Sequence, residues 1–260
     1  MLKIRIIPTL LHKDLGLVKG IGFNSWRRVG SALQSIQVYG LRGVDELIFL
    51  DISATNDSRP PDFQTIDDLA DNCFMPLTVG GGVNSLEDVH RLLRVGADKV
   101  AINSAAVATP GLISEAAKRF GSQCMVISID YRQHPDGRRE VFTHGGSRPT
   151  GLDPVAFARQ AADLGAGEIL LTSVERDGAM TGFDLEGISL VSGAVGIPVI
   201  ASGGAGGYED MYRAVVEGGA SAVAVASIFH FTEMTPKEAK RYLADRGLPV
   251  RLDAAASSPS

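Results

Sequence analysis

Three carboxylates in this chain stand at the ends of apolar runs, where a carboxylate can move protons. Asp130 ends the run MVISID, Asp51 ends LIFLD, and Asp177 follows EILLTS in SVERDG. A carboxylate at a strand tip is a general acid–base candidate. A helix cap or a loop salt bridge is the competing explanation, and Asp130 is the residue read as catalytic. Two glycine corners accompany them. Gly80-Gly81-Gly82 and Ser202-Gly203-Gly204 each follow a short apolar run, as do Asn103-Ser104 and Ala226-Ser227. Glycine lets backbone N–H groups approach an anion, and a helix starting just afterwards adds a positive dipole. One such corner reads as a tight turn. Two equivalent ones, Gly81 and Gly82 against Gly203 and Gly204, read as two phosphate sites facing each other. Lys19 in the long first loop and Gly178 beside Asp177 complete the expected substrate-binding set with Asn103, Ser104 and Ser227. The first loop and the loop carrying Thr143-His144-Gly145-Gly146 are long enough to be lids. Five scattered histidines and two scattered cysteines have no metal-ligand spacing, so neither a metal nor another cofactor is expected.

At the opposite ends of the same runs lie Arg5, Glu46, Lys99 and Glu168. Charges at alternate strand starts form either a functional ring closing the bottom of a barrel or a stabilising set of salt bridges. Spacing does not choose between the two.

The elements that must position these residues are eight short, mostly continuous apolar runs at 4–10, 46–51, 76–79, 99–103, 125–130, 168–173, 198–202 and 222–226. Continuous rather than alternating apolar residues indicate parallel strands buried on both faces. Helical patterns at 86–95, 112–120, 154–164 and 208–217 lie between them, with Ser85 a candidate N-cap and Gly96 a candidate stop. Eight β–α units in about 250 residues fit a (β/α)8 TIM barrel. An internal repeat supports it. At an offset of 122 residues, Gly81, Gly82, Glu87, Asp88, Arg91 and Gly96 meet Gly203, Gly204, Glu209, Asp210, Arg213 and Gly218. The chain therefore reads as a barrel of two related halves, one domain over 1–252, with a disordered small-residue tail at 253–260.

Composition sets the wider limits. The chain has 260 residues, 45% hydrophobic and 21% charged, enough to bury a large core. A formal net charge of −5 argues against a broad nucleic-acid surface. No apolar run approaches the roughly 18 residues of a membrane span. Two cysteines imply no disulfide framework and suggest a reducing, cytoplasmic setting.

The motifs RIIP, DELIFLDI, PLTVGGGV, ADKVAINSAAV, RFGSQC, GAGEILLTS, RDG, IPVIASGGAG and ASIFHF together resemble the family of cyclase subunits of imidazole glycerol phosphate synthase, from histidine biosynthesis. The likeness runs over nearly the whole chain to about Arg251. It implies a half-barrel-repeat fold and a class I glutaminase docked at the bottom face. Ammonia would then pass along the barrel axis to a phosphorylated small-molecule substrate at the top. On this resemblance Arg5, Glu46, Lys99 and Glu168 are the ammonia gate, Thr78 lines the tunnel, and Asp98 faces the glutaminase. Asp130 matches one of two catalytic aspartates, and Gly82, Asn103, Asp177, Gly203, Gly204 and Ser227 match substrate or phosphate contacts.

The departure is at Leu11, which stands where the second catalytic aspartate belongs and can neither take nor give a proton. His12 is a poor substitute, because neighbours on a strand point to opposite faces. Leu10-Leu11 followed by Gly16-Leu17-Val18-Lys19 resembles a side branch of the family found in surface-polysaccharide pathways. That likeness implies amidination of a nucleotide-sugar acetamido group. The alternative is a true cyclase with its second acid–base group replaced.

Overall fold

The computed structural model describes residues 3–14 and 16–252. The expected tail at 253–260 lies outside them. The strands are β1 (Arg5–Lys13), β2 (Gly16–Ile21), β3 (Asn24–Gly30), β4 (Leu47–Asp51), β5 (Leu77–Gly80) and β6 (Lys99–Ile102). They continue with β7 (Met125–Gln133), β8 (Arg139–Thr143), β9 (Arg148–Pro149), β10 (Glu168–Ser173), β11 (Val199–Ser202) and β12 (Ala222–Val225). Eight of them pair in parallel in the order β10-β11-β12-β1-β4-β5-β6-β7, and β7 pairs back onto β10. The sheet is thus a closed (β/α)8 TIM barrel with its helices outside.

All eight expected barrel strands are present, with changed ends. β1 runs three residues further than expected, to Lys13, and β7 continues past Asp130 to Gln133. Both extensions have one cause: each strand acquires an antiparallel hairpin partner. Leu11 pairs with Val18 of β2, and Asp130 with Phe142 of β8. The two segments expected as open loops are therefore the hairpins β2–β3 and β8–β9, standing on the mouth of the barrel.

Alternation along the closed strands sorts the interior into layers. Arg5, Ile7, Thr9, Leu11 and Lys13 succeed one another at every second position of β1. Glu46, Ile48 and Leu50 do the same in and before β4, Lys99, Ala101 and Asn103 at β6, and Glu168, Leu170 and Thr172 on β10. Two residues rise roughly 7 Å. Each of these four strands therefore carries a charge at the bottom, an apolar side chain one layer up, and a mouth residue above that. The apolar cluster above the charges is Ile7, Ile48, Ala101, Val126, Leu170, Ile200, Ala222 and Ala224, with Thr78 beside Ile48 in the register. The opposite parity, with Ile6, Leu10, Phe49, Val100, Ile127 and Ile169 among others, packs in the core between sheet and helices. Burial on both faces is why these strands read as continuous apolar runs.

The half-barrel repeat has a concrete basis. Asp88 Oδ2 accepts the N–H groups of Asn84 and Ser85 at 3.1 Å each. Asp210 Oδ2 accepts those of Gly206 and Gly207 at 2.9 and 3.0 Å. The positions correspond at the offset of 122 residues. Each carboxylate satisfies two N–H groups at the start of its helix, Leu86–Arg94 or Tyr208–Val216, groups the helix itself leaves unpaired. Ser85 is the N-cap, as expected.

Helix Pro236–Asp245 packs on the outside of the barrel against β1 and helix Tyr208–Val216. Lys240 Nζ donates to Asp45 Oδ1 at 2.7 Å and to the Gly43 carbonyl at 2.6 Å, while Asp45 Oδ2 accepts the N–H of Ile6 at 3.0 Å. Both ionic side chains are buried. Removing one member of such a pair strands the other's charge. Lys240→Met is expected to cost about 3–5 kcal/mol, read from the urea midpoint. Lys237→Met on the exposed side of the same helix is expected to stay within about 0.5 kcal/mol.

Candidate active site

A cavity of about 290 Å³ opens at the C-terminal ends of the barrel strands. Asp130, Lys19, Gly81, Gly82, Asn103, Ser104, Asp177, Gly178, Gly203, Gly204 and Ser227 all line it. Residues far apart in the chain are brought together because all but Lys19 lie at or after the end of a barrel strand, while Lys19 comes from β2 of the hairpin on the mouth.

The two glycine corners are built alike. Gly81 has φ +107° and Gly203 φ +82°, conformations a side chain rarely adopts. A Cβ on Gly81 would run into the Asp51 carbonyl, and one on Gly203 into the Ser173 carbonyl, the equivalent residue of the other half. The backbone can therefore turn tightly across each strand end only without a side chain.

Asn103 and Ser104 are held by the protein itself. Asn103 Nδ2 donates to the carbonyls of Ser128 at 3.0 Å and Phe142 at 3.3 Å. Ser104 Oγ donates to Asn103 Oδ1 at 3.1 Å and accepts the His144 N–H at 3.1 Å. This small network ties β6 to β7, β8 and the loop after it.

The three carboxylates separate sharply. Asp51 is a loop anchor: Oδ1 accepts Ser53 N–H at 3.0 Å, Ser53 Oγ at 2.9 Å and Ala54 N–H at 3.1 Å, and Arg59 lies 3.4 Å from Oδ2. For Asp51, the cap explanation is the structural one. Asp130 is 9% exposed and receives a long hydrogen bond, 3.4 Å, from Ser128 Oγ. Burial pushes its carboxyl up to about 7, the Asp177 charge adds to this, and the Ser128 and Thr172 hydroxyls oppose it. Asp177 is also raised by burial, opposed by the Lys19 ammonium. Lys19 itself, 2% exposed, is lowered by burial and held up by Asp177.

Leu11 faces the cavity with Thr9 and Lys13. His12 turns away to the opposite face of β1, its ring 5.5 Å from that of Phe49. It does not replace the missing acid. The hairpin β2–β3 crosses the mouth, anchored by the Gly22 N–H on the Asp177 carbonyl at 2.8 Å, and brings Phe23 and Trp26 onto the cavity. Sequence reading passed over Trp26, Thr9, Ser128 and Thr172. The last three carried a signal, since each is a polar residue at an inward position of an otherwise apolar strand.

At the bottom the four charges form a closed ring. Arg5 Nη1 meets Glu46 at 2.8 Å and Glu168 at 2.9 Å, and Lys99 Nζ meets the same two carboxylates at 3.0 Å each. Thr78 is buried beside Lys99 in the sheet register. Asp98 is exposed on the bottom rim, one carboxylate oxygen accepting the Leu77 N–H at 2.8 Å. Among the described residues no group of three or more His, Cys, Asp or Glu is arranged to hold a metal ion. No helix among them is long and apolar enough to cross a membrane.

A family model described as "Histidine biosynthesis protein" matches residues 5–235. The chain belongs to this family. It is 55% identical over 251 residues to imidazole glycerol phosphate synthase subunit HisF of Hyphomonas neptunium (strain ATCC 15444), covering 96% of this chain and 99% of the relative. Membership fits the fold, the repeat and the motif run. The surface-polysaccharide branch suggested by Leu11 finds no support in these comparisons. They favour the cyclase alternative over amidination of a nucleotide sugar.

Asp130 titrates above its unfolded value, so its ionisation weakens the fold. The penalty is absent below about pH 4 and complete above about pH 7. Asp130→Asn is expected to raise Tm at pH 8, with the gap closing toward pH 4 in thermal melts. Its turnover is expected to fall about 10²–10⁴-fold.

Proposed function

We propose that this protein is the cyclase subunit of an imidazole glycerol phosphate synthase. It adds ammonia, made from glutamine by a class I glutaminase partner, to a phosphate-bearing ribonucleotide and closes the imidazole ring. The observation that carries this reading is the stacking along one axis of an ion ring, an apolar layer and a cavity holding Asp130 between two glycine corners. The name of the 55% identical relative supports it.

In this reading Arg5, Glu46, Lys99 and Glu168 gate the entry of ammonia, Thr78 lines its path, and Asp98 faces the glutaminase. Gly81, Gly82, Ser104, Gly203, Gly204 and Ser227 hold the phosphates. Lys19, Asn103, Asp177 and Gly178 contact the rest of the substrate, and Asp130 moves protons. Enclosure by the hairpin β2–β3 keeps water from competing with ammonia. Leu11 favours a second reading, with an acetamido group of a nucleotide sugar as acceptor.

The test supplies ammonium salt and the bis-phosphorylated ribonucleotide without the partner, so that only the mouth of the barrel is assayed. Formation of imidazole glycerol phosphate is the expected result. Absence of turnover in folded protein transfers the proposal to the nucleotide-sugar acceptor. Arg5→Ala is expected to keep ammonium-dependent turnover near the parent's while glutamine-dependent turnover with the glutaminase drops several-fold.

A further inference from the structure

Adding ammonia to a carbonyl and expelling water needs two proton-transfer groups, one to take a proton from nitrogen and one to give a proton to oxygen. Six titratable side chains line the cavity: Lys13, Lys19, Asp51, Asp57, Asp130 and Asp177. Asp51 is saturated by Ser53, Ala54 and Arg59, and Asp57 is half exposed and turned to Arg59. The wall position at Leu11 is aliphatic. Asp177 differs from the other carboxylates. Its Oδ2 is fully enclosed and finds no hydrogen-bond partner among the described residues. It sits just past β10, whose Thr172 lies beside Asp130 in the register, so the two carboxylates flank one region of the cavity. A buried carboxylate oxygen without a partner is costly unless something at the site uses it.

We propose that Asp177 is the second proton-transfer residue of this active site, working with Asp130. The proposal rests on the cyclase reading. In this cycle Asp130 enters with its proton and Asp177, whose anion the Lys19 ammonium favours, enters as the carboxylate. Ammonia nitrogen bonds to the carbonyl carbon, the C=O π electrons move to oxygen, Asp130 protonates that oxygen, and Asp177 takes a proton from nitrogen. Asp177 then returns its proton to the hydroxyl, which leaves as water. The nitrogen lone pair forms C=N, and the surplus N–H proton goes back to Asp130. One carbonyl and one ammonia give one imine and one water, and both carboxyls return to their starting states. Two carboxyls in one site with unlike surroundings, Asp130 with a hydrogen bond from Ser128 and Asp177 with one oxygen unpartnered among the described residues, are suited to opposite duties.

The test uses the whole chain with ammonium salt at constant free ammonia and the same ribonucleotide. Trp26 is the only tryptophan, and it lines the cavity, so its fluorescence reports substrate binding independently of turnover. Asp177→Asn is expected to lower kcat about 10²–10⁴-fold with the dissociation constant little changed. The acid limb of the kcat–pH profile should disappear and the alkaline limb, set by Asp130, should remain. Asp177→Glu, which keeps a carboxylate, should recover part of the rate and so separate lost chemistry from lost folding. An Asp177→Asn protein within about tenfold of the parent kcat, or one whose loss lies wholly in binding, overturns the assignment. A parent that binds the ribonucleotide without turning it over overturns the cyclase reading and this role with it.

Discussion

Everything in this molecule depends on the pairing of β7 with β10, which closes the sheet. Closure forces every second side chain of eight strands onto one axis. A single sequence position then specifies depth as well as direction. That is how Arg5, Ile7 and Thr9, two residues apart, become floor, middle and mouth. It is also how Glu46 and Glu168, far apart in the chain, meet the same guanidinium. The ring neutralises itself, two cations against two carboxylates, which makes four largely buried charges tolerable at the base of an apolar interior.

The mouth is built on the opposite economy. Where the floor pairs each charge twice, the cavity gives Asp130 a long hydrogen bond from Ser128 and, among the described residues, leaves Asp177 Oδ2 with none. Asp45 and Lys240 show that the same chain satisfies a buried carboxylate fully where only stability is at stake. Under-satisfied carboxylates gathered in one cavity are the pattern expected where local stability is exchanged for reactivity.

The barrel was legible because parallel strands buried on both faces have an unmistakable composition, and the repeat because Asp88 and Asp210 make the same pair of backbone hydrogen bonds. Leu11 could be placed on the cavity, and His12 off it, from parity alone. The hairpins were not legible. Gly16–Ile21 carries Lys19 and two glycines within a short segment and reads as loop; it becomes a strand only because β1 offers it an edge. The ring remained ambiguous because its ion pairs join positions up to 163 residues apart. The fate of Asp51 was closer to hand, since Ser53 two residues on is the usual partner of an aspartate that turns the backbone.

The apolar layer of Ile7, Ile48, Ala101, Val126, Leu170, Ile200, Ala222 and Ala224 separates ring from cavity. Carrying an ion out of water into such surroundings costs several kcal/mol even after relaxation, whereas a small uncharged molecule pays little. The layer is therefore a sieve for protonation state. On the proposed route an ammonium ion would have to leave its proton on the floor side, so the mouth would receive the free base, in an amount that falls as the surrounding solution becomes more acidic.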